Sequence, residues 1–275
     1  MMTYFLESHL DSSDLYTSAG SSGGNRQHSV RTEPVHVLAE KLRLPRSRGA
    51  VRRPRLDDLL RKSTEQFPAT LISGRAGTGK TTLAATFARS YPNVAWYSVE
   101  SSDTDWNVFA HYFATCVLKA VKSKARPGQM LVTDIGEPSM QAAMASSLIN
   151  VFAEAETSLV RDPLLIVLDG IHHLFDEPWF GEFFGLLLSS LPENVKLLLL
   201  CRSKPPSPLW RMRSKQQLNV IDEKVLAFDL AETAQLGAKH GMSRSDAERA
   251  HAETFGRISK LLDIIGGSKL NPRRT

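Results

Sequence analysis

One run of residues restricts the possible folds of this chain more than any other: Gly74-Arg75-Ala76-Gly77-Thr78-Gly79-Lys80-Thr81. It matches G-x-x-x-x-G-K-[ST] at every fixed position. Glycines at this density let the backbone turn tightly and point successive N–H groups toward one spot. A lysine and a hydroxyl follow directly, so that spot suits a large anion. Such a loop needs a strand before it and a helix after it. Both are present in the flanks. Residues 69–73 form a short apolar β-type run, and Leu83, Ala84, Phe87 and Ala88 recur at helical spacing within 80–90.

The same alternation continues along the chain. Apolar runs at 94–99, 164–168 and 195–201 read as further strands, which makes four. Helical spacing is found over 56–64, from a cap at Asp103 or Thr104 to about 122, over 140–160 and over 179–191. Residues 123–137 read as a loop, and Pro205, Pro206 and Pro208 as a proline-rich turn. Strands alternating with helices predict an α/β fold, with a parallel sheet flanked by helices. The third and fourth strands are apolar almost throughout, as burial on both faces requires. Beyond about residue 230 only helices are expected, at 231–240, 245–255 and 257–265, with Ser245 and Glu248 at capping-box spacing. The expected organisation is a poorly ordered polar arm at 1–35, an α/β P-loop NTPase domain with a basic lead-in at 36–229, and a small helical subdomain at 230–275.

The chemistry follows from the residue types. Backbone N–H groups of Gly74, Ala76, Gly77, Thr78 and Gly79 are placed to cradle phosphates, and the helix that follows adds its positive end. Lys80 supplies a charge for the β- and γ-phosphates. Thr81 offers a hydroxyl to Mg²⁺, and Thr82 continues the loop into the helix. The expected ligand is ATP or ADP with Mg²⁺. The metal shell also needs an acid at the end of a neighbouring strand, and Asp169, directly after the apolar run 164–168, has that place. The next position, where a second acid could polarise an attacking water, is Gly170, and glycine cannot act as a base. His172, His173 and Asp176 are nearby candidates for that task, with slow hydrolysis the alternative. Arg202, after the fourth strand, is placed to sense the γ-phosphate.

Charge adds a second theme. The formal net charge is +5, and the excess is clustered. Arg43, Arg46, Arg48, Arg52, Arg53, Arg55, Arg61 and Lys62 crowd one segment; Lys204, Arg211, Arg213 and Lys215 form another; Arg273 and Arg274 end the chain. Such clusters suit nucleic acid, nucleotide phosphates or acidic protein partners. Cys116 and Cys201 both sit in apolar runs, so buried free thiols and a reducing, cytoplasmic setting are expected. No apolar run reaches membrane-spanning length, and no basic-then-apolar segment opens the chain as in a secretory signal.

Taken together, these residues resemble the nucleotide-binding region of STAND-class signal-transduction ATPases, in particular the MalT-like, large LuxR-family bacterial transcription regulators. The likeness rests on 51–56 (Val-Arg-Arg-Pro-Arg-Leu), on the P-loop followed by Thr82-Leu83, on 167–174 and on 199–206, with 94–98, Asp103 and Asp105 in support. It covers about residues 40–265. The resemblance implies an ATP-driven regulatory switch that ADP holds closed and ATP opens for assembly or for a protein partner. It places Arg53 near the nucleotide, makes Arg202 the sensor, and makes the helices after 230 a lid. The chain departs from the pattern at Gly170 and at 254–258 (Thr-Phe-Gly-Arg-Ile), where the family often has Gly-Trp-Pro. The family's sensor repeats and DNA-binding helix-turn-helix would lie beyond Thr275. Two other readings fit the residues: a DNA-associated ATPase of the transposition or replication-helper kind, suggested by the basic clusters, and a non-catalytic partner-binding module, suggested by Gly170.

Overall fold

The computed structural model describes residues 37–47, 49–127, 131, 140–158 and 162–270. The arm expected at 1–35, most of the loop expected at 123–137, and Arg273 and Arg274 lie outside these residues.

The elements run α1 (Pro54–Gln66), β1 (Ala69–Ser73), α2 (Lys80–Ala88), β2 (Asn93–Ser98), α3 (Trp106–Ala120), α4 (Met140–Ser158), β3 (Leu164–Asp169) and α5 (Phe180–Ser190). They continue with β4 (Val195–Cys201), α6 (Ser207–Ser214), β5 (Leu218–Ile221), α7 (Glu223–Leu226), α8 (Leu230–Lys239), α9 (Arg244–Thr254) and α10 (Ile258–Leu270). The sheet has five strands in the order β2-β3-β4-β1-β5, all parallel.

The apolar strands divide their side chains between two cores. Leu164, Ile166 and Leu168 of β3, with Val195, Leu197, Leu199 and Cys201 of β4, face α3, α4 and α5. The alternate residues Leu165, Val167, Leu198 and Leu200 face α1 and α2. All are buried. A strand covered on both sides gains nothing from polar alternation, which is why these runs are unbroken. Each such side chain contributes roughly 1.5–3 kcal/mol on burial. A third, smaller core joins Val51 of the lead-in to Phe228, Leu236, Ala250, Leu261 and Ile265 of the C-terminal helices.

Three local expectations need correction. The sheet has a fifth strand, β5, and a helix, α6, follows the proline-rich turn. Pro208 lies in the first turn of α6, where its missing N–H costs nothing. The cap of α3 is Asp105, whose side chain accepts from the N–H groups of Asn107 and Val108. Asp103 is instead buried against Lys41, 2.6 Å away. The cap of α9 is Ser243, which accepts from Asp246 N–H, while Glu248 pairs with Arg244 at 3.1 Å. The capping box expected at Ser245 is therefore absent; one forms at Asp229 and Glu232 at the start of α8.

Candidate functional site

Parallel register brings the C-terminal ends of three strands level. Ser73 pairs with Cys201, and Asp169 with Leu200. Gly74 N–H donates to Cys201 carbonyl at 3.2 Å, and Gly170 N–H to Leu200 carbonyl at 3.0 Å. The P-loop, Asp169 and Arg202 therefore emerge side by side at the edge of the sheet where ligands of open α/β folds bind.

Gly77 and Gly79 both have positive φ, +75° and +85°. A β-carbon on Gly77 would stand 3.1 Å from the β-carbon of Ser259, at the start of α10. The start of α10 thus comes close to the loop at Gly77, while Arg75, Ala76 and Gly77 stay exposed. Lys80 is buried, and its ammonium donates to the Gly74 and Arg75 carbonyls, at 2.8 Å for Arg75, and to Thr78 Oγ1 at 3.2 Å. These acceptors are neutral. Burial lowers the lysine's proton affinity, only partly opposed by Asp169.

Thr81 and Asp169 meet directly, the hydroxyl donating to the carboxylate at 2.7 Å. Burial raises the proton affinity of Asp169, while Thr81, Lys80 and Arg202 oppose this rise. A hydroxyl and a carboxylate at this spacing match the donor chemistry of Mg²⁺, which takes few protein oxygens and keeps waters and phosphate for the rest. Among the described residues no cluster of three or more His, Cys, Asp and Glu side chains stands ready to hold a metal alone.

Gly170 has φ +94°, and a β-carbon there would lie 2.5 Å from Val99 carbonyl. That carbonyl belongs to the residue whose N–H bonds Asp169 carbonyl at 2.7 Å. The position excludes any side chain, so the missing second acid is built into the backbone. His172 is half-buried, and its Nδ1 is buried without a partner. Burial, His173, Arg202 and Lys80 together push its pKa down to about 4. His173 is exposed and stacks on it at 4.2 Å. Asp176 and Arg202 are exposed, and Arg202 has no hydrogen-bond or ion-pair partner among the described residues.

Two cavities flank the loop. One, of about 250 Å³, is lined by Val51, Arg53, Gly79, Thr82, Leu83, Phe228, Ile258 and Leu262 among others. The other, about 620 Å³, lies between Ala76, Gly77, Thr78 and the turn at Phe255, Gly256 and Arg257. Arg53 lines the smaller cavity, yet its guanidinium is committed elsewhere. It donates to the Leu226 and Ala227 carbonyls, both at 2.9 Å, pairs with Glu232 at 2.7 Å and lies over the Phe228 ring at 4.1 Å. Arg55 adds a bond to Ala227 carbonyl and a 3.3 Å contact to Glu232. Phe228 N–H is held in turn by Gly256 carbonyl at 2.8 Å, and a β-carbon on Gly256 would collide with Phe228 carbonyl at 2.0 Å.

Glu232, Phe228 and Ser259 were not legible as site residues. The Asp229–Glu232 capping-box spacing marks Glu232 as a cap and gives no hint of Arg53. Glu223 was also missed: it grips the P-loop at Arg75 through the backbone N–H (3.0 Å) and the guanidinium (2.7 Å), and those bonds hold its pKa down at about 2.

The fold and this loop define a P-loop ATPase domain, and residues 51–200 match the AAA ATPase domain family, to which the chain belongs. Over 201 residues, 72% of its length, the chain is 32% identical to the HTH-type transcriptional regulator MalT of Vibrio cholerae. It is 34% identical to that of Serratia proteamaculans over 183 residues, 65% of its length. It spans about a fifth of either regulator, 21% and 19%. Among solved structures, the Walker-type ATPase paby2304 of Pyrococcus abyssi has the same fold, with a TM-score of 0.51 at 13% identity, covering 83% of this chain and 71% of that one. No helix among the described residues is long and apolar enough to cross a membrane.

Proposed function

We propose that this chain is a STAND-like switch module that binds ATP or ADP with Mg²⁺ and hydrolyses ATP slowly. The observation that carries the reading is the contact between Thr81 and Asp169 beneath a loop whose lysine has only neutral partners. The backbone of Gly74, Ala76, Gly77, Thr78 and Gly79, with Lys80, takes the phosphates, and Thr82 lies at the mouth of the smaller cavity. That cavity, walled by Val51, Leu83, Phe228, Ile258 and Leu262, takes the base. Mg²⁺, held by Thr81 and Asp169, would draw charge from the β- and γ-phosphates. Arg202, exposed at that edge and without an ion pair among the described residues, reads the γ-phosphate.

Arg53 acts at one remove. It ties the lead-in to 226–232, and both segments wall the base cavity. A nucleotide seated there touches both parts of the joint, so the helices after 230 act as a lid whose position depends on occupancy. A differential contact of this kind is what a two-state switch requires. On this reading the output of the switch is assembly or contact with a protein partner.

Slow turnover is the expectation, because Gly170 leaves no room for an acid directly after Asp169; His172, His173 and Asp176 are the nearby groups that would have to take its place. A phosphate-release assay tests this beside calorimetric binding of ATP and ADP. Binding that requires Lys80, with turnover just above a Lys80→Ala control, agrees with the reading. Turnover equal to the control would leave a non-catalytic nucleotide module, and binding unchanged by Lys80→Ala would overturn the site itself.

A further inference from the structure

Between Glu193 and Asp222 the sequence contains no acidic residue, yet it carries Lys196, Arg202, Lys204, Arg211, Arg213 and Lys215. In the fold, most of this charge collects on α6 and the turn before it. Leu209 and Met212 anchor the helix inward, leaving Trp210, Arg211, Arg213 and Lys215 exposed. None of Lys204, Arg211, Arg213 and Lys215 forms an ion pair among the described residues. In the lead-in segment Arg52, Arg53, Arg55 and Arg61 are paired with acids, while Arg43 and Arg46 form no ion pair among the described residues. Trp210 is 41% exposed, while the other tryptophans, Trp96, Trp106 and Trp179, are buried. The Arg213 guanidinium lies over its ring, 5.2 Å from the centroid. Arg211 and Lys215, on the other flank of α6, line a groove of about 470 Å³ against α5, with Gln141, Ser189 and Gln217 and one acid, Glu182.

We propose that α6 and its groove form a docking surface for single-stranded nucleic acid. Unpaired cations attract phosphates whatever the sequence, and an exposed indole with a guanidinium beside it offers a platform to an unstacked base. A duplex would use the cations and leave the ring idle, and an acidic peptide would do the same. The surface excludes the P-loop, Thr81 and Asp169, so it stands or falls independently of the nucleotide reading.

The test uses the full chain and a fluorescein-labelled thymidine oligonucleotide of about 20 bases, beside a duplex of equal length, in low salt. Anisotropy should rise more for the single strand, and tryptophan emission should be quenched, since Trp210 is the exposed indole. Trp210→Ala should weaken single-strand binding by about tenfold and abolish the quenching. The triple variant Arg211→Gln, Arg213→Gln, Lys215→Gln should weaken it at least as much and lower the salt slope by about 2. Both variants should unfold in denaturant at the wild-type midpoint, which shows that they fold. No binding by the wild type, binding unchanged in the variants, or a duplex preference without quenching would overturn the proposal. So would self-association that the triple variant abolishes, which would make this face a protein interface.

Discussion

Lys80 and Arg53 are cations buried to the same degree, 6% and 7% exposed, and their partners differ in kind. Lys80 has two carbonyls and a hydroxyl, all neutral and all from its own loop. Arg53 has a carboxylate, two carbonyls and an aromatic ring, all from a segment more than 170 residues away. A buried charge without a counter-charge is costly, and an anion in the loop would relieve that cost. A paired one holds two segments together and leaves nothing for a ligand. The P-loop side is thus prepared for something external, while the side toward the C-terminal helices is already satisfied by the chain. The satisfaction is incomplete, however: Arg53 Nε and Glu232 Oε1 are buried without hydrogen bonds. A joint short of two bonds is easier to rearrange than a fully bonded one.

Arg53→Ala should break the contrast most severely. It leaves Glu232 buried with Arg55 as its remaining cation, beside the Asp229 N–H, and should cost about 3–5 kcal/mol in denaturant unfolding. A loss below about 1 kcal/mol would show that the joint is not an anchor. Gly170→Ala sharpens the phosphate side. The positive φ and the approach to Val99 carbonyl should cost about 2 kcal/mol, measured by the same unfolding curve. Gly170→Glu should therefore fail to speed phosphate release, whereas a gain in turnover with unchanged stability would contradict the steric argument. Asp169→Asn keeps the shape and removes the charge. It should weaken the Mg²⁺-dependent part of ATP binding by roughly tenfold and leave Mg²⁺-free binding nearly unchanged, as calorimetry can show.

The smallest effect is one of pH. His172 has its folded pKa pushed down to about 4 from an ordinary value of 6.5. Between those values the unfolded chain binds a proton that the folded chain refuses, so stability is full above pH 6.5 and falls as pH drops toward 4. His172→Gln should flatten the fall by about 1 kcal/mol or less, since the ring is only half-buried. An identical pH profile for wild type and variant would place the histidine outside the buried edge.

What the sequence disclosed depends on how local each feature is. The P-loop and the apolar run that ends at Asp169 are each contiguous, and β1 to β4 are apolar runs, so pattern alone located them. β5 has four residues with Asn219 among them, and α6 hides behind three prolines. Both take their structure from packing beside β1 and beneath α5. The resemblance placed Arg53 near the nucleotide; Arg53 lines the smaller cavity beside the loop, but its guanidinium points into the clasp at Glu232. No local signal joins residues 179 apart. The sequence displayed Gly170 as a missing acid, but the obstruction at Val99 that forbids any side chain there exists only in the fold.

The central claim is that the loop at 74–81 grips a nucleotide through Lys80, and the nucleotide released on denaturing the purified protein tests it most directly. Chromatography of the released material should find ADP or ATP in wild type and almost none in Lys80→Ala. No nucleotide in either protein, together with no binding when ATP and Mg²⁺ are added back, would contradict it.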